Sequence, residues 1–524
     1  MAKVLVSDPL AKQGIAILEE AKGIEVETKP GLSEDELVSI MGGYDALLVR
    51  SSTQVTAKII EAGKNLKVIG RAGVGLDNVD LEAATRAGIV VMNTPDGNTI
   101  STAEHTMSLI LALSRNIPQA NASLKGKEWK RSEFAGVEIF GKTLGIIGLG
   151  RIGREVAKRA AGFGMKIIAY DPFVSIEHAR GMKIEMVELD NLYKLSDFIT
   201  FHIPLTKESR HMVGAKELSL MKDGVRIINC ARGGIIDEGA LYSALVSGKV
   251  AGCALDVYEQ EPPFDSPLLE LDNCITVPHL GASTKEAQLN VAIDIAKQVV
   301  DCLTGGPIRN AANIPVMDPE LAAQLQPFIT LSERLGKLSA QLVDGNMEEV
   351  TVEYAGQIAS KDISILTTTI IKGLLMDPMA NYVNAIPIAT EQGIKITESK
   401  TSQREDFVNL ISVSVKTDRM SRRVAGTLFK RSDPRLVYID HFEVDAVPTG
   451  DLLILFQTDE PGIIGRIGTI LGENGINIGW LKLGREKVGG QALSLWNLDG
   501  TISKETMTEI TSIPEIKEAR LVRL

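Results

Sequence analysis

The 524-residue sequence predicts an α/β protein of several domains built on parallel sheets, and three observations carry that prediction. From Met1 to about Thr304, short β-branched runs alternate with amphipathic stretches, the order of a parallel sheet with crossover helices. Several runs in the second half of that region are almost continuously apolar, as strands covered on both faces must be. The C-terminal stretch from Leu452 reads strand, helix, strand, strand, helix, strand, the ferredoxin-like order βαββαβ.

The strand-like runs of the first unit are Val4 to Ser7, Ile24 to Thr28, Ala46 to Val49, Leu66 to Ile69 and Ile89 to Met92. Ser101 with Glu104 three residues on predicts a capping box, opening a helix that runs to about Leu113. A second unit begins near Lys142, with expected strands at Thr143 to Ile147, Lys166 to Tyr170, Phe198 to His202, Arg226 to Ala231, Ala251 to Val257 and Cys274 to Val277. A helix-like stretch from Gly281 to about Thr304 is placed to carry the chain back to the first unit. Gly305, Gly306, Pro307 and Asn313-Ile-Pro-Val316 mark a boundary. Met317 to Val447 is mixed α/β without a motif, and Pro448-Thr-Gly450 is a linker. The tail has strands at Leu452 to Gln457, Ile476 to Leu483, Gln491 to Asn497 and Ala519 to Val522. Its helices are Gly462 to Glu473 and Lys504 to Thr511.

The formal net charge is −11 and aromatic residues make up 4% of the chain. An acidic chain has no global attraction for nucleic acid or an anionic membrane, and scarce aromatics leave little to stack on bases. The four cysteines, Cys230, Cys253, Cys274 and Cys302, form no C-x-x-C pair and have no histidine cluster near them in sequence. Neither a metal site nor a disulfide framework is expected. No basic leader with a long apolar span opens the sequence, and the expected location is the cytoplasm.

The strongest local signal is Gly148-Leu-Gly150-Arg-Ile-Gly153. It follows an expected strand and opens an expected helix. The glycines then serve a tight turn, close approach of a pyrophosphate, and helix packing. Amides at the helix start hold phosphates. Asp171 ends the next strand, where a carboxylate meets the ribose hydroxyls of NAD and repels the 2′-phosphate of NADP. The pattern predicts a Rossmann-like unit that takes NAD.

Polar groups follow several strands of the second unit: Arg232, Asp256 with Glu261 just after it, and His279. Ligands of open parallel sheets bind outside the carboxyl ends of the strands, so these residues are placed to face one cleft. Each alone is an ordinary strand-end residue; the joint placement fits alcohol oxidation beside a carboxylate. A buried imidazole, His279, can take the hydroxyl proton, and Glu261 can fix its tautomer and favour its protonated form. Arg232 can bind a carboxylate through two parallel bonds. His202 also ends a strand; it competes with His279 and is read as a cofactor-cleft residue. His105, His178 and His211 lack this context. In the first unit, Arg50 and Arg71 sit past strand ends, placed either to clamp a phosphate or as ordinary surface arginines.

Six stretches carry a resemblance: Arg71-Ala-Gly-Val-Gly-Leu-Asp-Asn78, Thr94-Pro-Asp-Gly-Asn98, Gly145-Ile-Ile-Gly-Leu-Gly-Arg-Ile-Gly153, Ile228-Asn-Cys-Ala-Arg-Gly-Gly234, Ala254-Leu-Asp-Val-Tyr-Glu-Gln-Glu-Pro262 and Pro278-His-Leu-Gly-Ala-Ser283. Spanning Met1 to about Pro315, the sequence resembles the D-2-isomer-specific 2-hydroxyacid dehydrogenase family, within it the branch that oxidises 3-phospho-D-glycerate on the way to L-serine. The resemblance implies catalysis by Arg232, Glu261 and His279. It implies NAD contacts at Gly148, Gly150, Arg151, Ile152, Gly153, Asp171, Cys230, Ala231, Asp256, Gly281 and Ala282. Phosphate and carboxylate of the substrate fall to Arg50, Ser51, Arg71 and Asn98.

The implied fold is a Rossmann-like NAD domain (99–281) inserted in a discontinuous flavodoxin-like substrate domain (1–98 and 282–315). A mixed α/β regulatory domain (316–447) and a tail resembling an ACT domain (451–524) follow. Such tails bind amino acids at paired interfaces, which implies an L-serine effector and a homotetramer. Gln457, Asp459 and Asn477 match ligand-contact positions, although family members often carry an aromatic residue or histidine at the first. In the middle domain, Arg422, Arg423, Lys430, Arg431 and Arg435 fit either an anionic regulator or a solvated basic face. The alternatives are another D-2-hydroxyacid dehydrogenase, such as a glyoxylate or hydroxypyruvate reductase, and a non-catalytic NAD-sensing scaffold.

Overall fold

The structure, a computed structural model, describes residues 1–314, 319–402, 407–430 and 432–524. Arg431 and the expected boundary at 315–316 lie outside the described residues.

The first sheet holds β1 (Ala2–Val6), β2 (Ile24–Thr28), β3 (Ala46–Val49), β4 (Val68–Arg71) and β5 (Val90–Met92). All pairs are parallel and the order is β2-β1-β3-β4-β5, the flavodoxin-like arrangement. Helix Lys285–Leu303 packs on this sheet, with Ile295 and Val299 against Gly70 of β4. It lies so close to helix Lys12–Glu20 that a Cβ on Gly14 would stand 2.6 Å from the Ala292 carbonyl. The chain beyond it stays with β5: Met92 bridges Ala311, and the Asn313 side chain bonds the Val91 N–H and Ile89 carbonyl. The expected return of the chain to the first unit is therefore present.

The second sheet holds β6 (Thr143–Ile147), β7 (Lys166–Tyr170), β8 (Glu185–Met186), β9 (Phe198–Phe201), β10 (Val225–Asn229), β11 (Val250–Leu255) and β12 (Cys274–Thr276). Its parallel order, β12-β11-β10-β9-β6-β7-β8, is the doubly wound dinucleotide-binding arrangement with an added edge strand. Two-residue β8 has no counterpart among the sequence-based strands, being too short for a period to register.

The capping box at Ser101 is not formed. Helix Thr99–Arg115 begins earlier, with Asn98 as N-cap and no side-chain cap. Ser101 donates instead to the Gly281 carbonyl at 2.7 Å, and Glu104 faces Arg159. A tertiary contact takes the hydroxyl that the local pattern assigned to the helix start.

The third sheet is β14-β13-β15-β16-β17-β18, formed by β13 (Met347–Gly356), β14 (Lys395–Thr401), β15 (Asn409–Thr417), β16 (Ser421–Phe429), β17 (Asp433–Ile439) and β18 (Phe442–Ala446). The tail sheet is β20-β21-β19-β22, from β19 (Asp451–Thr458), β20 (Ile478–Arg485), β21 (Gln491–Leu498) and β22 (Ile516–Arg523). One face of the tail sheet, through Leu453 and Leu455, packs on the tail's own helices. The other face, through Leu452, Ile454, Leu493 and Val522, joins the core of the third sheet. The expected linker thus connects two sheets that share one core. Two of the basic residues that fit either an anion site or a solvated basic face are paired with acids, Arg422 with Asp440 and Glu518, and Arg435 with Asp433 and Asp445. Arg423 donates to Ser412. Among the described residues no helix is long and apolar enough to cross a membrane.

Candidate active site

A cleft of about 610 Å³ opens where the first and second sheets face each other. It lies at the carboxyl ends of the strands, as parallel sheets require. Arg71 ends β4, Arg232 follows β10, Asp256 and Glu261 follow β11, and His279 follows β12, and all five line it.

His279 Nδ1 lies 2.9 Å from Glu261 Oε2, and the other carboxylate oxygen accepts the Tyr258 N–H at 3.2 Å. Bonded to a carboxylate, Nδ1 is the donor, which leaves Nε2 as the proton acceptor. The bond to Glu261 and the charges of Glu261 and Asp256 raise the imidazole pKa above its ordinary 6.5, against burial and the charge of Arg232. Burial works to raise Glu261, but the His279 bond and charge and the Tyr258 amide outweigh it and hold the carboxyl low. The imidazole is not buried as the sequence reading had it: half of its side chain, 51%, is open to the cleft. Its backbone takes φ +52, a conformation costly for a residue with a side chain. The following turn is pinned by Asp256, which accepts the Leu280 and Gly281 N–H groups at 2.6 and 2.9 Å.

This pair makes a pH prediction. With His279 as the base of an alcohol oxidation, as the sequence leads one to expect, kcat/KM should fall as pH drops through the raised histidine pKa, above 6.5. In Glu261→Gln that acid limb should move to lower pH and the maximum rate should drop. A pH profile of the initial rate checks both; an unmoved limb would separate Glu261 from the titrating group.

Arg71 faces the cleft from the other sheet. Its Nε is buried without a hydrogen-bond partner. Burial, with repulsion from Arg232 and Arg50, lowers its pKa to about 10, so it stays charged near neutrality. An unpartnered guanidinium nitrogen facing the cleft leaves a donor that an anion can satisfy. Arg232 is held by Asp77 Oδ2 at 2.9 Å from its Nε and by its own turn, through Nη1 to the Ala231 carbonyl. Both arginines need glycine beside them: a Cβ on Gly73 would stand 1.7 Å from Arg71 Nη1, and one on Gly75 2.0 Å from Arg232 Nη2. Gly75→Ala should therefore displace the Arg232 fork and lower kcat/KM about 10²-fold, the scale of an ångström-level misplacement. Steady-state kinetics checks this, with thermal melting to confirm folding.

The residues around the glycine turn fit a dinucleotide. Gly148 has φ +94, and a Cβ on Gly153 would lie 2.1 Å from the Gly148 carbonyl, so the helix can sit this close only on glycine. A Cβ on Gly150 would meet nothing within 4 Å, and helix Arg151–Gly162 has no side-chain cap. That leaves room and free amides for a pyrophosphate. Asp171 accepts the Leu149 N–H at 2.8 Å, beside the turn. Ile152, Pro204, Leu205 and Ala231 give the cleft an apolar wall.

His202 also lines the cleft, but burial pushes its pKa down to about 3. That favours its neutral form, and its Nε2 lies 3.2 Å from Thr200 Oγ1 rather than beside a carboxylate, unlike His279. Beneath the cleft the fold gathers a trio scattered in the sequence: ligand-type atoms of His105, Cys230 and Asp256 lie within 4.8 Å of one another. Burial lifts the Cys230 thiol to about 12, so it is protonated. His105 Nε2 stands 3.1 Å from Asp256 Oδ1 without hydrogen-bond alignment.

The expected site residues are not all brought together. Arg71, Asn98, Ile152, Cys230, Ala231, Arg232, Asp256, Glu261, His279, Gly281 and Ala282 line the cleft. Asn98 Oδ1 is buried and unpartnered there, beside the uncapped start of its helix. Arg50 lines a separate pocket of about 170 Å³ with Pro9 and Gln288, its Nη1 donating to the Pro9 carbonyl, and Ser51 is exposed. Arg151 pairs with Asp96. In the tail, Gln457 is buried and accepts from Ser494. Asp459 pairs with Arg485 and Asn477 donates to Asp499.

Asp77, Thr102, Pro204 and Tyr258 line the cleft without having been singled out. Asp77 sits inside the motif that begins at Arg71, so the signal was present there. Tyr258, whose hydroxyl donates to the Leu255 and Val277 carbonyls and so ties β11 to β12, follows Asp256 by two residues.

Comparison with known proteins agrees with this geometry. Residues 107–281 match the family model of the D-isomer specific 2-hydroxyacid dehydrogenase NAD binding domain, and residues 324–440 match that of the D-3-phosphoglycerate dehydrogenase intervening domain. The chain is 46% identical to the D-3-phosphoglycerate dehydrogenase of Archaeoglobus fulgidus, covering 100% of both. It is 43% identical to that of Bacillus subtilis, again over 100% of each. Among solved structures, a glyoxylate reductase from Paecilomyes thermophila matches with a TM-score of 0.55 at 32% identity, covering 61% of this chain and 99% of that one. A D-lactate dehydrogenase from Aquifex aeolicus complexed with NAD and lactic acid matches at 0.52 and 31%, covering 58% and 96%. The cleft, its dinucleotide turn and these full-length matches together place the chain in the D-3-phosphoglycerate dehydrogenase family, within the D-isomer specific 2-hydroxyacid dehydrogenases.

Proposed function

We propose that this protein oxidises 3-phospho-D-glycerate to 3-phosphohydroxypyruvate with NAD, the entry to L-serine synthesis. The observation that carries the substrate is Arg71, a buried guanidinium with an unpartnered Nε, sharing one cleft with Arg232 and the His279–Glu261 pair. A site for a plain 2-hydroxy acid needs one cation for the carboxylate; a second partly buried cation in the cleft suits a second anionic group.

NAD, when bound, supplies the electron acceptor for the carbinol carbon. Gly148, Gly150, Arg151, Ile152 and Gly153 are assigned to its pyrophosphate, Asp171 to its ribose, and Cys230, Ala231, Asp256, Gly281 and Ala282 to the nicotinamide end. His279 Nε2 takes the proton of the substrate hydroxyl. Glu261 holds the ring through Nδ1 and stabilises the imidazolium that results. Arg232 binds the carboxylate and the reacting oxygen, with Asn98 at its uncapped helix start. Arg71 takes the phosphate, with Arg50 and Ser51 at the outer edge.

In the same proposal the substrate domain comprises 1–98 and 282–315, the NAD domain 99–281, a regulatory domain 316–447 and the tail 451–524. The enzyme is proposed to be a cytoplasmic homotetramer, with L-serine at the tail through Gln457, Asp459 and Asn477. The testing experiment follows NADH absorbance against 3-phosphoglycerate, D-glycerate, D-lactate and glycolate, with and without L-serine. The proposal requires the phosphorylated substrate to give the highest kcat/KM; a preference for D-lactate or glycolate would overturn it.

A further inference from the structure

We infer that His211 is a positioning residue that clamps the two catalytic turns together from outside the cleft. It rests on the assignment of Arg232 and Glu261 to catalysis. His211 touches both turns at once. Its N–H donates to the Gly234 carbonyl at 2.7 Å, two residues past Arg232. Its Nε2 lies 3.0 Å from Glu259 Oε1, two residues before Glu261.

The two turns are stacked directly on each other. A Cβ on Gly233 would stand 1.7 Å from the Tyr258 carbonyl, so the Arg232 turn lies against the Tyr258–Glu259 peptide without intervening side-chain atoms. A reciprocal pair of bonds spans the contact: the Glu259 N–H donates to Glu238 Oε1 at 2.7 Å, and the Glu238 N–H donates to Glu259 Oε1 at 3.3 Å. Ser266 Oγ donates to the other Glu238 oxygen at 3.3 Å. These groups line a pocket of about 350 Å³ on the far side of the Glu261 turn. Glu259 reaches the active-site cleft as well, whereas His211, Glu238 and Ser266 line the outer pocket alone.

The clamp has a physical logic. Glu238 and Glu259 are like charges held side by side, which costs energy unless donors satisfy both. Backbone amides supply part of this, and the imidazole of His211 is the side-chain donor bonded to Glu259 Oε1. His211 itself takes φ +51, a strained conformation sustained by its bonds to both turns. Removing the imidazole leaves the Glu259 carboxylate short of a donor and frees the Glu261 turn to shift against the Arg232 turn. Proton transfer is sensitive to such shifts, with an ångström costing about 10²-fold.

The test compares His211→Ala, His211→Gln, Glu259→Ala and the double variant His211→Ala/Glu259→Ala with the wild type, using Glu261→Gln as reference. The expected result is a kcat about 10- to 100-fold lower in His211→Ala and Glu259→Ala, by the same sensitivity. The KM for NAD should stay within about twofold, because the dinucleotide turn is elsewhere. The double variant should be no worse than Glu259→Ala, since that variant already removes the His211–Glu259 bond along with the bond from the Glu238 N–H. His211→Gln, whose amide can donate to Glu259, should recover much of the rate. The clamp is overturned by a wild-type kcat in His211→Ala, by additive losses in the double variant, or by a His211→Gln no better than Ala. If Glu261→Gln itself keeps the wild-type kcat, the catalytic assignment fails and the clamp with it. A lowered rate there with full activity in His211→Ala removes the clamp alone.

Discussion

Replacing His279 with Ala lowers kcat for oxidation by about 10²–10⁴-fold, the contribution of a positioned general base. The affinity for NAD changes little, because the glycine turn and Asp171 stay intact. The expectation follows from His279 being the cleft histidine bonded to a carboxylate and holding a pKa raised from 6.5. His202, which also lines the cleft, has its pKa lowered by burial and a Thr200 hydroxyl as its partner instead of a carboxylate. Steady-state rates with a fluorescence titration of NADH check both halves. A near-normal kcat in the variant would mean that another group, or water, takes the proton.

Replacing Arg71 with Ala raises KM for phosphoglycerate about 10- to 150-fold, the range for losing a hydrogen-bonded charge pair worth about 1.5–3 kcal/mol. Arg50→Ala produces a smaller effect, since its guanidinium lies in the side pocket against the Pro9 carbonyl. The same measurement on D-glycerate should show little loss in Arg71→Ala, because that substrate lacks the phosphate. Equal losses on both substrates would assign Arg71 to the carboxylate instead.

Much of this site was legible in the sequence because parallel sheets place chemistry at strand ends. Arg232, Asp256, Glu261 and His279 each follow an apolar run, and the fold brings them to one cleft. What separates Arg50 from Arg71 was not legible, since both follow strands of the same sheet. The difference arises from Asp8, whose buried carboxylate accepts the Arg50 and Thr53 N–H groups and ties that loop down beside Pro9. The openness of His279 and its left-handed backbone depend on Asp256 gripping the next two amides, a contact across twenty-odd residues.

Other differences have equally local causes. The capping pattern at Ser101 yielded to the Gly281 carbonyl, which no short-range rule contains. The trio of His105, Cys230 and Asp256 draws on three distant segments. The shared core of the third and tail sheets did leave a trace. Leu452, Leu453, Ile454 and Leu455 form an unbroken apolar run, and all four are fully buried. Such a run signals a strand covered on both faces, so the tail sheet needed a partner beyond its own helices.

The most direct test of the account is the ratio of kcat/KM for 3-phosphoglycerate to that for D-glycerate, measured in the wild type and in Arg71→Ala. The proposed binding of the phosphate by Arg71, in one cleft with the His279–Glu261 pair, predicts a ratio well above one that collapses by about 10-fold or more in the variant. A wild-type ratio near one, or a high ratio that survives the loss of Arg71, would contradict it.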